Sequence, residues 1–272
     1  MYRKCGGSVP DKPAKQACLQ SCGRSLRVWT HFISEEIFKK GGIRLEGDPI
    51  IKERFLQQDM YYKDHMIMRY TIKYPKFLSE KYQTLVYKLN SLYRTKALMY
   101  ERSNIMNLYQ MAMVDYEYSA ANDFPIHQFE AYADFFDTYN ENCTISLYFD
   151  QYEYTGGAHG LTVRSSDTWN LQKSKRIDLN ELFPHNSNYK QYIIDNINRQ
   201  IEDKISSGDS PYFENYSQLV ADTFKPGNYY LTSDGVVIYF QQYDIAPYST
   251  GLPTFTIPYT QSDGPLAPSC DQ

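Results

Sequence analysis

The chain has 272 residues, of which 42% are hydrophobic and 22% are charged, so it is long enough to bury a core and is neither disordered throughout nor collagen-like. Its 28 Lys and Arg residues against 32 Asp and Glu give a formal net charge of −4, which argues against a nucleic-acid-binding protein. No apolar run approaches the roughly 20 residues of a membrane-spanning helix, so we predict no membrane span. The 27 tyrosines are compatible both with half-buried strands and with hydrated binding surfaces.

The first 27 residues differ from the rest of the chain. They hold three of the five cysteines and six basic residues against one acid, without a helical or strand period. We therefore predict that residues 1–27 form a basic, flexible tail. The basic start is not followed by the apolar stretch of a secretory signal, so we expect no export signal in this chain.

The cysteines raise the possibility of a zinc site. Cys18 and Cys22 are one close pair, and Cys5 with either His31 or Cys270 would complete four ligands. Structural zinc sites usually show two close pairs, so we favour free or cross-linked thiols and predict no metal. Cys143 lies in an apolar strand-like run, where we predict a small buried hydrophobe.

Strands and one long helical region make up the first part of the body. Strand-like residues 53–62 and 65–74 are separated by Lys63-Asp64, and Pro75 is expected to close the pair. From Ser79 the apolar residues take helical spacing, with a break expected near residues 102–104. The helical region is expected to end before Phe124-Pro125.

The second part of the body returns to strands, interrupted by helices. Isoleucines repeat every four residues after Tyr189 and predict an amphipathic helix. Ser210 and Pro211 suit the N-cap and first residue of a short third helix. Asp234-Gly235 predicts a hairpin turn. The predicted strands cover residues 128–139, 143–154, 161–171, 229–231, 236–240 and 255–257. Strand blocks separated from helix blocks predict an α+β fold.

Three sequence blocks carry a resemblance to a known family. They are Tyr-Glu-Tyr-Thr-Gly-Gly-Ala-His-Gly at 152–160, Ile-Asp-Leu-Asn-Glu-Leu-Phe at 177–183, and Val-Val-Ile-Tyr-Phe-Gln-Gln-Tyr-Asp-Ile-Ala-Pro-Tyr at 236–248, with Gly251 and Phe-Thr-Ile-Pro at 255–258 after it. In this order and spacing they resemble the PdaC/RsiV-like extracytoplasmic proteins of Gram-positive bacteria, over roughly residues 48–259.

The resemblance implies an architecture of two small α+β subdomains, each of mainly antiparallel sheet packed with helices. We place them at residues 48–168 (PdaC-like) and 169–259 (like the RsiV C-terminal region), followed by a polar tail at 260–272. Relatives include anti-sigma-V factors, whose outer domain binds lysozyme, and a non-catalytic module attached to a peptidoglycan deacetylase. The Asp-Asp pair and His-x-x-x-His motif of the deacetylase domain do not occur in this sequence.

The Gly-Gly-Ala-His-Gly segment can be interpreted in two ways. Its glycines permit positive φ or a close backbone approach, and His159 is a candidate general base, metal ligand or donor to a ligand. No catalytic partner lies near it in sequence, so we favour a tight junction in which His159 satisfies buried backbone groups. The candidate ligand-binding residues are Tyr152, Tyr154, Gly156, Gly157, His159, Gly160, Tyr243 and Tyr248, with no catalytic residue, metal ligand or cofactor predicted.

The favoured function is a non-enzymatic binding module for a cell-envelope protein or a peptidoglycan-type glycan. A structural protein of a spore or envelope layer is the first alternative, since it suits the tyrosine content and assembly from the cytosol. A hydrolase centred on His159 is the second alternative. The family implies an extracytoplasmic location, whereas the missing export signal suggests cytoplasmic synthesis and a spore-associated protein.

Overall fold

The computed structural model describes residues 47–184, 188–208, 211–260 and 262–270. The predicted basic tail and its cysteines lie outside these residues. The described residues form a six-stranded sheet and a three-stranded sheet, each packed with helices, which confirms the predicted α+β class. None of the described helices has both the length and the apolar character needed to cross a membrane.

The larger sheet contains β1 to β6 in chain order. All neighbouring strands are antiparallel except β2 and β3, which are parallel because a long helical region connects them. β2 continues through Pro75, where we expected it to close. The β2–β3 ladder ends at Ile72 and Ala133, before Pro75. The missing N–H of Pro75 therefore removes no hydrogen bond to β3. The strands are β1 (Ile50–Tyr62), β2 (His65–Leu78), β3 (Phe129–Glu141), β4 (Thr144–Tyr154), β5 (Leu161–Asn170) and β6 (Lys175–Arg176).

Two helices joined without a loop cover one face of this sheet. They are α1 (Gln83–Tyr100) and α2 (Met106–Ala121), and the predicted break between them is a π-helical turn at Glu101–Ile105. The extra residue of a π turn changes the helix phase while the chain stays helical. Leu89, Tyr93 and Ala97 of α1 are buried at the predicted apolar spacing.

The smaller sheet contains β7 (Tyr229–Leu231), β8 (Gly235–Tyr239) and β9 (Thr254–Pro258), all antiparallel. The hairpin predicted from Asp234-Gly235 joins β7 and β8. Helix α3 (Tyr189–Ser206) places Ile193, Ile197 and Ile201 in the core of this sheet, all with 0% exposure.

The predicted start of the next helix was wrong. Helix α4 covers Tyr216–Thr223 and follows Asn215, whereas Pro211 is not helical. The carbonyl of Pro211 accepts a hydrogen bond from Thr250, and the N–H of Phe213 donates to Ile245. These bonds hold the segment extended against the 241–250 loop, so tertiary contacts override the local capping signal.

Contacts between the two sheets are specific. The Ser146 hydroxyl of β4 accepts from the N–H of Leu231 at 2.9 Å, and the Tyr148 and Tyr230 rings lie 4.9 Å apart. Tyr139 of β3 belongs to the core of the smaller sheet. The division into subdomains at residues 48–168 and 169–259 stays a prediction.

A disulfide joins the β3–β4 turn to the end of the described chain. Cys143 is buried as predicted, but it is bonded to Cys270 across 127 residues of sequence, so the description as a simple hydrophobe was wrong. The segment predicted as a polar tail is packed in its described part: Leu266 donates its N–H to Leu182 at 2.7 Å, and Pro265 and Pro268 are buried.

Candidate functional site

The Gly-Gly-Ala-His-Gly segment is the β4–β5 connection, and it lies beside the loop that follows β8. The His159 ring stacks on Tyr248 with centroids 3.7 Å apart and planes 16° from parallel. The Tyr243 hydroxyl lies 3.4 Å from His159 Nε2. Tyr152 completes the group, because its ring lies against Gly160 of the same connection; burial, and after it the neighbouring Tyr248, raises the pKa of Tyr152. We call Tyr152, His159, Tyr243 and Tyr248 the junction cluster.

Two glycine positions explain the sequence of this connection. A Cβ at Gly160 would lie 2.5 Å from both the Tyr152 ring and the Glu153 carbonyl, so any other residue would force the backbone to shift. Gly157 has φ of +92°, a conformation that L side chains rarely adopt, and its carbonyl accepts from the Tyr154 hydroxyl at 3.0 Å. Gly156 has φ of +88° and lies against the His127 ring. The predicted site residues from 152 to 160 thus shape one turn.

His159 contacts the backbone of buried Gly160, as the junction interpretation expects, but its ring is not itself buried. Its side chain is exposed, and its Nδ1 lies 3.0 Å from the carbonyl of the next residue, Gly160. This contact is to the backbone of the adjacent residue, and the imidazole ring remains accessible to solvent. The stacking on Tyr248 was not predicted, because the two residues are 89 positions apart in sequence. The geometry makes His159 part of an accessible aromatic surface.

The 241–244 loop contains residues that sequence reasoning missed. The Gln241 amide accepts from the N–H of Arg164 at 2.9 Å and donates to the carbonyl of the same residue at 2.7 Å. Gln242 accepts from the N–H of Thr162 at 2.8 Å. Asp244 accepts from the N–H of Gln241 and fixes the loop. The Gln241 and Gln242 amides therefore make the hydrogen bonds that a neighbouring strand would make along the edge of β5. The sign of this contact in the sequence is the Gln-Gln pair, which directly follows the strand predicted at residues 236–240.

A face of the larger sheet continues from the junction cluster; it is accessible along β3, whereas Tyr148 and buried Ser166 at its far end pack against Tyr230 and Tyr239 of the smaller sheet. Directly paired strand residues share a face, and on β3, β4 and β5 they form three cross-strand rows. Successive rows are about 7 Å apart, since side chains on one face recur every second residue. We call these rows together the row face: Tyr132–Tyr152–Thr162, Asp134–Asp150–Arg164 and Phe136–Tyr148–Ser166.

The outer rows are aromatic and partly accessible to solvent. Tyr132 and Tyr152 stack with centroids 6.2 Å apart, and Phe136 and Tyr148 stack at 4.7 Å. Tyr132 is 37% exposed and Phe136 is 42% exposed. Rings held on strands in this way offer flat apolar surfaces with little conformational entropy left to lose on binding.

The middle row is ionic. Arg164 donates twice to Asp150, at 2.7 Å in each bond, and its guanidinium lies 3.9 Å from the Tyr148 ring centre. Burial, the largest single effect, lowers the Arg164 pKa, but the hydrogen bonds that Arg164 donates to Asp150 and the negative charge of Asp150 together raise it above its usual value. Lys73 from β2 bridges Glu53 and Asp134 at 3.2 and 3.3 Å. These pairs hold oriented donors and acceptors between the aromatic rows.

The arrangement therefore suits the recognition of a ligand with alternating apolar and polar parts, such as sugar rings or an alternating side-chain pattern on a protein surface. Among the residues that the structure describes, no group of three His, Cys, Asp or Glu side chains is placed to hold a metal ion.

Comparison with known families agrees with this two-sheet arrangement. The family model described as "Deacetylase PdaC" matches residues 62–162, and the one described as "Protein of unknown function (DUF3298)" matches residues 180–260. The chain combines a PdaC region with a DUF3298 region. The PdaC match contains the β3 and β4 residues of the row face and the glycine turn, and the DUF3298 match contains the 241–248 loop. The resemblance to the PdaC/RsiV-like family is confirmed.

Solved structures with a similar fold also belong to the DUF3298 family. A Bacteroides fragilis member has a TM-score of 0.61 at 18% identity, over 78% of this chain and 91% of its own. A Pseudomonas aeruginosa member has a TM-score of 0.48 at 16% identity, over 80% of this chain and 93% of its own. At this identity the first likeness concerns the fold alone. No curated protein sequence matches the chain.

Proposed function

We propose that this PdaC–DUF3298 chain is a non-enzymatic binding module for a cell-envelope protein or glycan, and that the row face with the junction cluster is its binding surface. One observation carries the proposal: half-exposed rings on β3 and β4 alternate with fixed ion pairs and continue into the ring stack of His159 on Tyr248. Aromatic anchors of this kind dominate the energetics of recognition surfaces.

The disulfide supports a location in the cell envelope. Disulfides form and persist mainly in oxidising compartments outside the cytosol. Cys143 is buried and bonded to Cys270 in the packed C-terminal segment. We therefore place the working protein outside the reducing cytosol, in agreement with what the family resemblance implies.

Binding assays with two probes test the proposal. Purified peptidoglycan sacculi represent the glycan, and hen egg-white lysozyme represents the protein ligand that the resemblance suggests. We expect one of the two to bind the full chain. We expect Tyr132→Ala and Phe136→Ala to weaken binding about 10-fold or more, as for anchors worth above about 1.4 kcal/mol. Tyr87→Ala, at a position 78% exposed on α1, is the matched control.

Two outcomes would contradict this function. The proposal fails if neither probe binds, or if the row-face variants bind as well as the control does. Release of reducing ends from sacculi by the wild-type chain, abolished by His159→Ala, would instead favour the hydrolase alternative.

A further inference from the structure

Helix α2 carries a second apolar surface on the side that faces away from the sheet. Its inner face is buried as expected, with Ile105, Leu108 and Ala112 in the core. The outward-facing side has large apolar residues that are between 43% and 71% exposed. We call this set the outer stripe: Met106, Met111, Val114, Tyr118 and Phe124. A helix on a protein surface normally has a polar outer face, so this pattern indicates a covered surface.

The outer stripe is continuous and free of charge along its length. Met111, Val114 and Tyr118 recur at helical spacing, and the Phe124 ring lies 5.9 Å from Tyr118. The two acidic residues of α2 are held at its flanks. Asp115 pairs with His127, and Glu117 pairs with Lys63 at 2.7 Å and accepts from the Tyr62 hydroxyl. Both carboxylates therefore lie beside the stripe and leave the stripe itself apolar; Lys63 and Tyr62 both contact the same oxygen of Glu117, Oε1.

We propose that the outer stripe is a homodimer interface, in which α2 of one copy packs antiparallel on α2 of a second copy. In a two-fold interface, a surface contacts the identical surface of the second copy. A stripe carrying one sign of charge would therefore be repelled, whereas an uncharged stripe is not. Asn107 and Gln110, exposed beside the methionines, carry both donors and acceptors and therefore satisfy identical partners across the axis.

Charges at the two ends of the stripe fit this antiparallel arrangement. Arg102 is exposed in the π-helical turn, and Glu117 lies 15 residues later, or about 22 Å along a helix. A two-fold axis near Gln110 and Met111 brings Arg102 of each copy to the level of Glu117 of the other. Because Lys63 and Tyr62 contact Oε1 of Glu117, the other carboxylate oxygen, Oε2, can accept from Arg102 of the second copy at both ends, whereas a parallel pair would align like charges.

The oligomeric state of the full chain tests this inference. Cys5, Cys18 and Cys22 are changed to Ser in every sample, so that no disulfide between chains contributes. We expect sedimentation equilibrium at tens of micromolar protein to give twice the 31.9 kDa chain mass. We expect Met111→Glu to raise the dimer dissociation constant about 30-fold or more, because two carboxylates would meet at the axis.

A charge-pair rescue distinguishes the interface from a folding defect. Met111→Glu and Met111→Lys chains should each be monomeric, and an equimolar mixture should recover the dimer mass. Tyr87→Glu, on α1 outside the stripe, should dimerise as the parent does. A monomeric parent chain, a dimer unaffected by Met111→Glu, or a mixture that stays monomeric would each overturn the proposal.

Discussion

At the residue scale, the lack of a side chain at Gly160 shapes the turn between β4 and β5, on which the candidate site is built. A Cβ at position 160 would lie only 2.5 Å from the Tyr152 ring and the Glu153 carbonyl, so glycine permits a backbone approach that a side chain would block. Leu161, the next residue, pairs with Glu153 in the β4–β5 ladder, and His159, the residue before, stacks on Tyr248. The aromatic cluster therefore depends on a residue with no side chain.

We expect Gly160→Ala to destabilise the protein by about 1–3 kcal/mol, as for overpacked sites. The added methyl would overlap backbone as well as the Tyr152 ring, so a rotamer change alone does not relieve it. Gly227→Ala is the control, because nothing lies within 4 Å of its Cβ position. Urea unfolding of both variants gives the comparison, and equal stability would contradict the close approach.

His159→Ala is expected to leave the free energy of unfolding within about 0.5 kcal/mol of wild type, as for surface substitutions. Its ring is exposed and contacts Tyr243, Tyr248 and the Gly160 carbonyl. The same variant should lose affinity for the bound probe, since the ring stack on Tyr248 belongs to the binding surface. A large loss of stability with unchanged affinity would restore the purely structural interpretation of this histidine.

At the element scale, β5 pairs with β6 only at Trp169 and Asn170, and glutamine side chains bond its outer edge at Thr162 and Arg164. Gln241 makes both a donor and an acceptor bond to Arg164, in the way that a neighbouring strand residue would. The loop after β8 is thereby fixed to the larger sheet, and Tyr243 and Tyr248 reach the glycine turn. A side-chain amide suits this position because its two ends supply an acceptor and a donor to the same backbone residue.

Gln241→Ala is expected to cost about 1–3 kcal/mol of stability, because it leaves the N–H and C=O groups of Arg164 without this partner. Gln241→Glu should not restore the lost stability. A carboxylate can still accept from the Arg164 N–H, but it cannot donate a hydrogen bond, and its negative charge faces the Arg164 carbonyl oxygen. Gln191→Ala, which removes an exposed amide on α3 bonded to Asp195, is the control. Thermal unfolding measures all three; a stable Gln241→Glu variant would contradict this role.

Much of the element list could be predicted from the sequence because periodicity and turn chemistry are local. The isoleucine repeat of α3 and the Asp234-Gly235 hairpin illustrate this. The start of α4 was wrong because distant backbone bonds at Pro211 and Phe213 outweigh a local cap. The stack of His159 on Tyr248 joins residues far apart in sequence, and no local pattern encodes such a contact.

At the scale of the whole molecule, the C-terminal segment joins the two sheets. Cys270 is bonded to the β3–β4 turn of the larger sheet, while Leu266 is hydrogen-bonded to Leu182, which lies in the core of the smaller sheet. The sequence reasoning missed this connection, because five cysteines allow many pairings and spacing alone does not select one.

We expect Cys143→Ser to lower stability by about 2–5 kcal/mol, the usual loss for a native disulfide that closes a long loop. Reduction of the wild-type protein should give a similar loss in melting temperature, and reduction of the variant should add little. If reduction lowers both melting temperatures equally, the stabilising bond lies elsewhere in the chain.

Hydroxyl-radical footprinting by mass spectrometry, with and without the bound probe, tests the binding surface most directly because it reports side-chain accessibility residue by residue. We predict that the probe protects Tyr132, Phe136 and Tyr248 from oxidation and leaves Tyr87 unchanged, since the first three belong to the row face and junction cluster. Protection confined to other surfaces, with unchanged oxidation at these three residues, would contradict a binding module built on this aromatic face.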